Sequence, residues 1–405
     1  MNVILYSVPA FFILIFIELI AENLRGTNYY RVNDSLTSLA TGSISQLLRT
    51  VKLIVPFTVY VFLYEQYSLF ELEPSIATWV TAFFLYDFFY YWNHRLGHEV
   101  SLLWAAHVVH HSSEEYNLTT ALRQTGTSFL SYLFYLPMAL MGFDPLILAT
   151  VGGINLVYQF WVHTQHIGRL GVLDRIFVTP SNHRAHHGQN AIYIDCNYGG
   201  VFVLWDRLFG SFQEELDDQP VIFGIRGASN SWNPLWVNMQ VYSQLAQDAV
   251  HTKSWWYKIT IWFRRTGWRP PDVVDQYPLI KTDLGHFEKY DTEVPGAIKL
   301  YAIVHYATTA AMGLLFTFAA SSMSFQEQCF TIVFVLLSTF SIGVLMENRH
   351  YSGVLEWIRW SFLLVFAVLS PIPEGLSYAL CGACVISAPL LWLGRLESVR
   401  NQATA

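Results

Sequence analysis

Long apolar runs separated by short polar connections dominate the chain. They lie at 3–21, 48–66, 77–93, 127–143, 145–162, 297–319, 329–346, 356–370 and 377–394. A helix needs about 20 mostly apolar residues to cross a bilayer, so these runs predict an all-α, polytopic membrane helical bundle. The runs 127–143 and 145–162 are separated by one residue and also read as a re-entrant pair. The first run has no Lys or Arg before Arg25 and no small-residue cleavage site. It therefore reads as a retained span, not a secretory signal.

Charge tests this pattern. Connections 22–47, 94–126, 163–296, 347–355 and the tail after 394 hold Arg25, Arg31, Arg95, Arg123, Arg169, Arg184, Arg264, Arg265, Arg349 and Arg395, whereas 67–76, 144, 320–328 and 371–376 hold no Lys or Arg. By the positive-inside rule the first set faces the cytoplasm. The N-terminus is then outside and the C-terminus cytoplasmic. Only 13% of the 405 residues are charged, against about 25% in soluble proteins. The net charge of -7 opposes nucleic-acid binding. Four cysteines make no disulfide framework; Cys381 and Cys384 have redox spacing but sit among small apolar residues suited to helix packing. Within 231–270, Trp232, Trp236, Trp255, Trp256, Trp262 and Trp268 mix with Lys253, Lys258, Arg264 and Arg265. That mixture fits an interfacial amphipathic segment or a helix of a cytoplasmic domain.

The candidate chemistry is histidine. Ten of the 14 histidines fall between 94 and 187. They form the boxes His94/His98, His107/His110/His111 and His183/His186/His187, with His163 and His166 as a looser pair. Residues three and four apart share a helix face, so each box is expected to aim two or three imidazoles at one point. Imidazole suits zinc, copper, iron and nickel, and eight clustered ligands exceed the needs of one ion, so two ions are expected. All boxes lie in connections that the charge rule places on the cytoplasmic side, although histidine took no part in setting it. Asp87, Tyr91, His94 and His98 form one helical stripe. A carboxylate inside a span faces the bundle interior, and carboxylates often orient metal-bound histidines, so Asp87 is expected behind the ligands. His98-Glu99 lacks the second histidine of a zinc-protease motif, because position 102 is Leu. No Gly-x-Ser-x-Gly, Walker or c-type haem motif is present.

The boxes resemble those of the fatty acid hydroxylase and sterol desaturase superfamily of membrane di-iron oxygenases. Within it, the runs Asp87-Phe-Phe-Tyr-Tyr-Trp-Asn-His94, His110-His111-Ser-Ser-Glu-Glu-Tyr-Asn-Leu-Thr-Thr-Ala-Leu-Arg-Gln124, Tyr158-Gln-Phe-Trp-Val-His163, Thr179-Pro-Ser-Asn-His183 and Asp195-Cys-Asn197-Tyr198 are similar to the alkylglycerol monooxygenases. The resemblance is strongest over 77–215 and departs at Asn182, where those enzymes carry a further histidine. The ninth ligand is then His163 or His166, with His163 preferred. The resemblance implies two iron ions, O2 as co-substrate, tetrahydrobiopterin as reductant, and hydroxylation of the ether-linked carbon of a glyceryl ether, with cleavage to fatty aldehyde and glycerol. Glu99, Asp195, Asn197 and Tyr198 are candidates for contacts behind the ligands or to substrate, or for caps of the loops bearing the boxes.

The chain is expected to divide into N-terminal spans (1–76), a hydroxylase core (77–215), an interfacial segment and linker (216–296) and C-terminal spans (297–405). The expected location is an integral, multi-pass membrane position with the site on the cytoplasmic face, in the endoplasmic reticulum of a eukaryote or the inner membrane of a bacterium. The partner is a membrane lipid, held with its head group at the interface and its chain in an apolar channel. Two alternatives remain at this point. One is a sterol or fatty-acyl hydroxylase or desaturase fed by a separate redox partner. The other is a metal-binding transporter, which would place its ionisable residues at mid-membrane.

Overall fold

The fold is that of a computed structural model, which describes residues 3–369 and 382–394. It is helical, and among the described residues the only β pairing is three isolated bridges: Val100–Arg265, Phe177–Phe202 and Gly188–Phe223. In chain order the helices are α1 (Val3–Arg25), α2 (Val32–Leu47), α3 (Arg49–Tyr67), α4 (Ile76–Glu99), α5 (Ser101–His111), α6 (Leu118–Ala121), α7 (Leu136–Leu140) and α8 (Pro145–Trp161). They continue with α9 (Pro180–His186), α10 (Leu204–Phe209), α11 (Pro234–His251), α12 (Trp255–Thr260), α13 (Pro271–Val274), α14 (Gly296–Ala319), α15 (Phe325–Met346) and α16 (Ser352–Leu369). Three described helices are long and apolar enough to cross a membrane: Tyr6–Arg25, Gly296–Ala319 and Phe325–Met346.

The runs 48–66 and 77–93 form α3 and α4. The run 127–143 does not form one long helix: a 3-10 turn at Ser131–Tyr135 leads into the five-residue α7. Local chemistry explains the interruption. Pro137 opens α7 because it lacks an N–H and fits only a first turn. Gly142 closes it at φ 86°, with Phe143 N–H donating to the Met138 carbonyl at 3.0 Å. A Cβ at Gly142 would lie 2.0 Å from the Phe70 carbonyl oxygen, so only glycine fits there. Asp144 then caps α8 by accepting from Leu146 N–H at 2.7 Å, with Pro145 in its first turn. The run 377–394 is described only from Gly382, as a helix to Gly394; Cys381 and the tail after 394 lie outside the described residues.

The chain divides into two compact units. The first comprises residues 1–30, 49–228 and 238–288. Here α4 packs on α5 and α8, α1 on α6 and α8, and α3 on α7. Tyr60, Ala82, Tyr86, Tyr135, Met138, Phe143 and Val151 form its largest apolar core. In the segment 231–270, Leu245 and Ile261 pack on Ala105, while Trp255 and Trp256 remain 78% and 64% exposed. The second unit comprises 31–48, 229–237 and 289–405. In it α14 packs on α15 and α2, and α15 on α16, around Trp232, Ile298, Tyr301, Ile342 and Met346.

Candidate metal centre

Four elements of the first unit carry nine imidazoles to one place. The last turns of α4 supply His94 and His98. A one-residue extended link at Val100 reverses the chain into α5, which brings His107, His110 and His111. His163 follows the end of α8. The short α9 carries His183 and His186 and ends on His187; its start is fixed by Pro180 and a capping box between Thr179 and Asn182.

The imidazoles form two groups, His94, His98, His107, His111 and His186 in one and His110, His163, His183 and His187 in the other. Within each group the ligand-capable atoms lie within 4.8 Å of one another. The groups adjoin, since the His111 and His187 rings stack at 4.3 Å between centroids and those of His110 and His187 lie at 4.6 Å. The expectation that each box aims two or three imidazoles at one point holds for His94/His98, His107/His111 and His183/His187. In both three-histidine boxes the i, i+4 pair serves one group and the middle residue serves the other. At 3.6 residues per turn, i+3 and i+4 fall about 100° apart on the helix. Each of these two boxes therefore contributes to both groups and ties them together.

The donor chemistry fits cations. The Nδ1 atoms of His94, His110, His163 and His186 meet the carbonyl oxygens of Tyr198, Arg123, Gln159 and Cys196 at 2.8, 3.2, 2.8 and 2.8 Å. A carbonyl only accepts, so these Nδ1 atoms carry the proton and each Nε2 presents a lone pair. His110 and His163 then face each other through two bare Nε2 atoms at 3.1 Å, with no proton to share. A cation relieves that repulsion, and metal–imidazole bonds of about 2.0–2.1 Å bring neighbouring ligand atoms to roughly this separation. Nε2 of His98, His186 and His187 and Nδ1 of His183 are buried without a hydrogen-bond partner. Burial, with smaller contributions from neighbouring imidazoles, holds His107, His111, His183, His186 and His187 well below the usual histidine range. His110 is pushed down to about 4 by burial, against the Arg123 carbonyl, which raises it. Neutral imidazole is the form that binds metal.

His166 stands apart. Its ring is edge-on to Tyr29 and its carbonyl accepts from Arg25 at 2.9 Å. Asp87 touches no imidazole: it accepts from Asn155 Nδ2, Val201 N–H, Phe202 N–H and Trp205 Nε1 at 2.7–3.1 Å. It thus anchors the loop that follows Tyr198, one step behind the His94 contact. Glu99 pairs with Arg95 and Asp195 with Arg265, each at 3.0 Å. Asn197, at φ 55°, bridges the Asn182 and Gln213 backbones. Tyr198 supplies the carbonyl to His94, while its buried hydroxyl has no partner and its ring lies 5.3 Å from that of His98.

Three supporting groups escaped the sequence reading. Glu18 on α1 accepts from Leu118 N–H at 2.8 Å and from the Tyr30 and Thr164 hydroxyls, so it holds the residue next to His163. The rule that singled out Asp87 reaches it too, because Glu18 is the only acid in the first apolar run. Arg184, between His183 and His186, forms a two-pronged pair with Glu215 at 2.9 and 2.8 Å and donates to the Thr164 and Ile167 carbonyls. It clamps α9 onto the turn that bears His163. Asp206 accepts from Tyr198 N–H and Gly199 N–H at 2.7 and 2.8 Å. Burial raises its carboxyl to about 6, against these donors, which lower it.

The fatty acid hydroxylase family model matches residues 79–211, which include all nine imidazoles. The chain is 35% identical to the human alkylglycerol monooxygenase over 92% of its length and 85% of that protein. It is 36% identical to the Xenopus tropicalis alkylglycerol monooxygenase over 86% of its length and 78% of that protein. The human lathosterol oxidase is 31% identical over 36% of this chain and 48% of its own. No solved structure matches the chain.

Proposed function

Because this chain belongs to the fatty acid hydroxylase superfamily as an O2-dependent, lipid-hydroxylating monooxygenase, we propose that its substrate is a glyceryl ether and its cofactor a pair of iron ions. His94, His98, His107, His111 and His186 hold one ion, and His110, His163, His183 and His187 the other. When bound, the two ions supply the activation of O2. One oxygen atom enters the C–H bond beside the ether oxygen. The other leaves as water, with two electrons from a reductant of the tetrahydrobiopterin class. The resulting hemiacetal breaks its C–O bond to give fatty aldehyde and glycerol.

The chain's own groups position this chemistry. The Tyr198, Arg123, Gln159 and Cys196 carbonyls fix four ring tautomers. Asp87 and Asp206 hold the loop behind His94, and Glu18 and Arg184 hold the turn behind His163. Burial of eight of the nine imidazoles excludes bulk water.

The observation that supports the ether reading over a sterol or fatty-acyl reading is coverage. Alkylglycerol monooxygenase similarity spans 86–98% of the chain in three vertebrates, so it reaches both flanks. Lathosterol oxidase similarity spans 36% of it. The charge pattern supports a multi-pass chain with the site on the cytoplasmic side. The short α7 and α8 do not disturb it: a pair entering and leaving on one face gives later connections the same side as two spans would. The deciding experiment supplies purified full-length protein with iron, a glyceryl ether, O2 and tetrahydrobiopterin. Fatty aldehyde and two irons per chain are expected; oxidation of sterols or acyl lipids in place of ethers rejects the substrate.

A further inference from the structure

Two apolar cavities of about 360 and 300 Å³ lie in the first unit. Leu102, Leu103 and Leu130 line both, so the two cavities adjoin along these leucines. The first also touches Ala106, Thr127, Met239 and Tyr242. The second extends to Val100, Leu133, Phe134 and Phe263.

Helix α5 connects them to the metal centre. Ala106 is one turn before His110, and Leu103 is one turn before His107. At about 1.5 Å per residue, Leu103 lies roughly 6 Å along the axis from the level of His107 and about 10 Å from that of His110. His107 is the one imidazole of the nine that is not fully buried, and it lies one turn beyond Leu103, which lines both cavities. The opposite wall is tied to the centre as well. His110 contacts the Arg123 carbonyl, and the chain from there to Ser131 forms that wall. It is held by Gly126 N–H donating to Asn238 at 2.8 Å and by the Tyr242 hydroxyl on Thr127 at 3.2 Å. The apolar lining is exposed in both cavities, at Phe129 and Met239 as well as at Leu133 and Phe263, so the bed opens along its length, as one taking a chain from hydrocarbon must.

We infer that the two cavities form one bed for a single unbranched alkyl chain, with the oxidised carbon at the Ala106 end and Leu103, which lines both, setting the chain length accepted. This rests on the proposed ether-lipid function and deepens it. A chain with free rotation about each C–C bond can follow the two cavities past the leucines that they share. A chain moved here from hydrocarbon stays in an apolar medium, so binding carries little desolvation cost.

The test uses the full-length protein in lipid bilayer discs, with 1-O-alkylglycerols carrying a photoreactive diazirine near the ether or near the methyl end. The near probe is expected to label the segments holding Leu103, Ala106 and Tyr242, and the far probe those holding Leu133, Phe134 and Phe263. Labelling in the reverse order, or none in these segments, overturns the inference whatever the activity. In turnover assays Leu103→Trp should lower the ratio of long-chain to short-chain kcat/KM at least tenfold at unchanged iron content. Leu103→Ala, which only removes volume, should leave long chains accepted and admit bulkier ones. An unchanged chain-length profile in both variants overturns the inference. Ordered labelling together with oxidation of acyl lipids but no ether sustains the bed and rejects the ether substrate.

Discussion

Two parts of the molecule bury histidine among polar groups, and they are wired in opposite ways. In the first unit nine imidazoles converge, His110 and His163 turn bare nitrogens toward each other, and four ring nitrogens have no partner. In the second unit His305 lies in a closed network. Arg359 pairs with Glu356 and donates to His305 Nδ1 at 3.1 Å and to the Tyr301 hydroxyl at 2.9 Å. Tyr301 and Ser341 donate to Glu356, and His305 Nε2 meets Ser387 Oγ at 2.6 Å. Burial is nearly complete in both places. The difference is satisfaction. The second network neutralises itself and asks for no ligand; the first is complete only with cations added. A buried histidine by itself therefore says little about metal, and unsatisfied convergence says much.

The sharpest way to break this comparison is to remove one histidine from each place. His110→Ala should abolish turnover and lower the iron content, whereas His305→Ala should keep both. Equal inactivity at equal expression would show that the two clusters do not differ as argued. The next effect is on stability. Removing one partner of a buried ion pair costs about 3–5 kcal/mol, so Arg359→Ala should lower the unfolding midpoint strongly. Replacing Arg359 and Glu356 together by leucine should recover much of that loss. Iron per folded molecule should stay constant in both variants. Loss of iron from folded Arg359→Ala protein would mean that the second network serves the metal centre.

Asp87→Ala and Glu18→Ala should show intermediate effects. Each leaves several buried donors unpaired, at about 1–3 kcal/mol apiece. Partners behind metal ligands typically change metal affinity or activity by about 10–100-fold. Iron affinity and turnover should fall together, with partial rescue by Glu18→Gln, which keeps one accepting oxygen. Destabilisation with unchanged iron affinity would make these carboxylates props of the fold alone.

The sequence exposed the site more fully than the framework that holds it. The boxes were legible because i, i+3 and i+4 spacing is a local property of a helix. That the i+3 histidine of each three-histidine box joins the other group is not legible from spacing, because i+3 and i+4 both count as one face. Asp87 was singled out as a lone charge in a span, but its partners at 201, 202 and 205 come from a distant loop that hydropathy does not pair with it. The Arg184–Glu215 clamp is invisible for the same reason. Hydropathy placed the helices α1, α14 and α15 well. It failed at 127–143, where Pro137 and Gly142 override a continuous apolar run.

The smallest expected effect separates the two candidates for the ninth ligand. His163 and His166 are three residues apart, and either could face the centre by spacing alone. What separates them is the end of α8: Val162 closes the helix, and the chain turns before 166. His163 keeps the Gln159 carbonyl on Nδ1 and sends Nε2 to His110 and His183, each at 3.1 Å. His166 is carried to Tyr29 and Arg25, and its Nε2 has no hydrogen-bond partner to lose. Substitutions away from special contacts usually stay within about 0.5 kcal/mol. His166→Ala should therefore leave the unfolding midpoint, iron content and turnover close to those of the unaltered protein. His163→Ala should lose iron from the four-histidine group and lose turnover with it. Iron analysis of the two variants side by side decides the matter: loss of one iron from His166→Ala with two retained in His163→Ala would reverse the assignment.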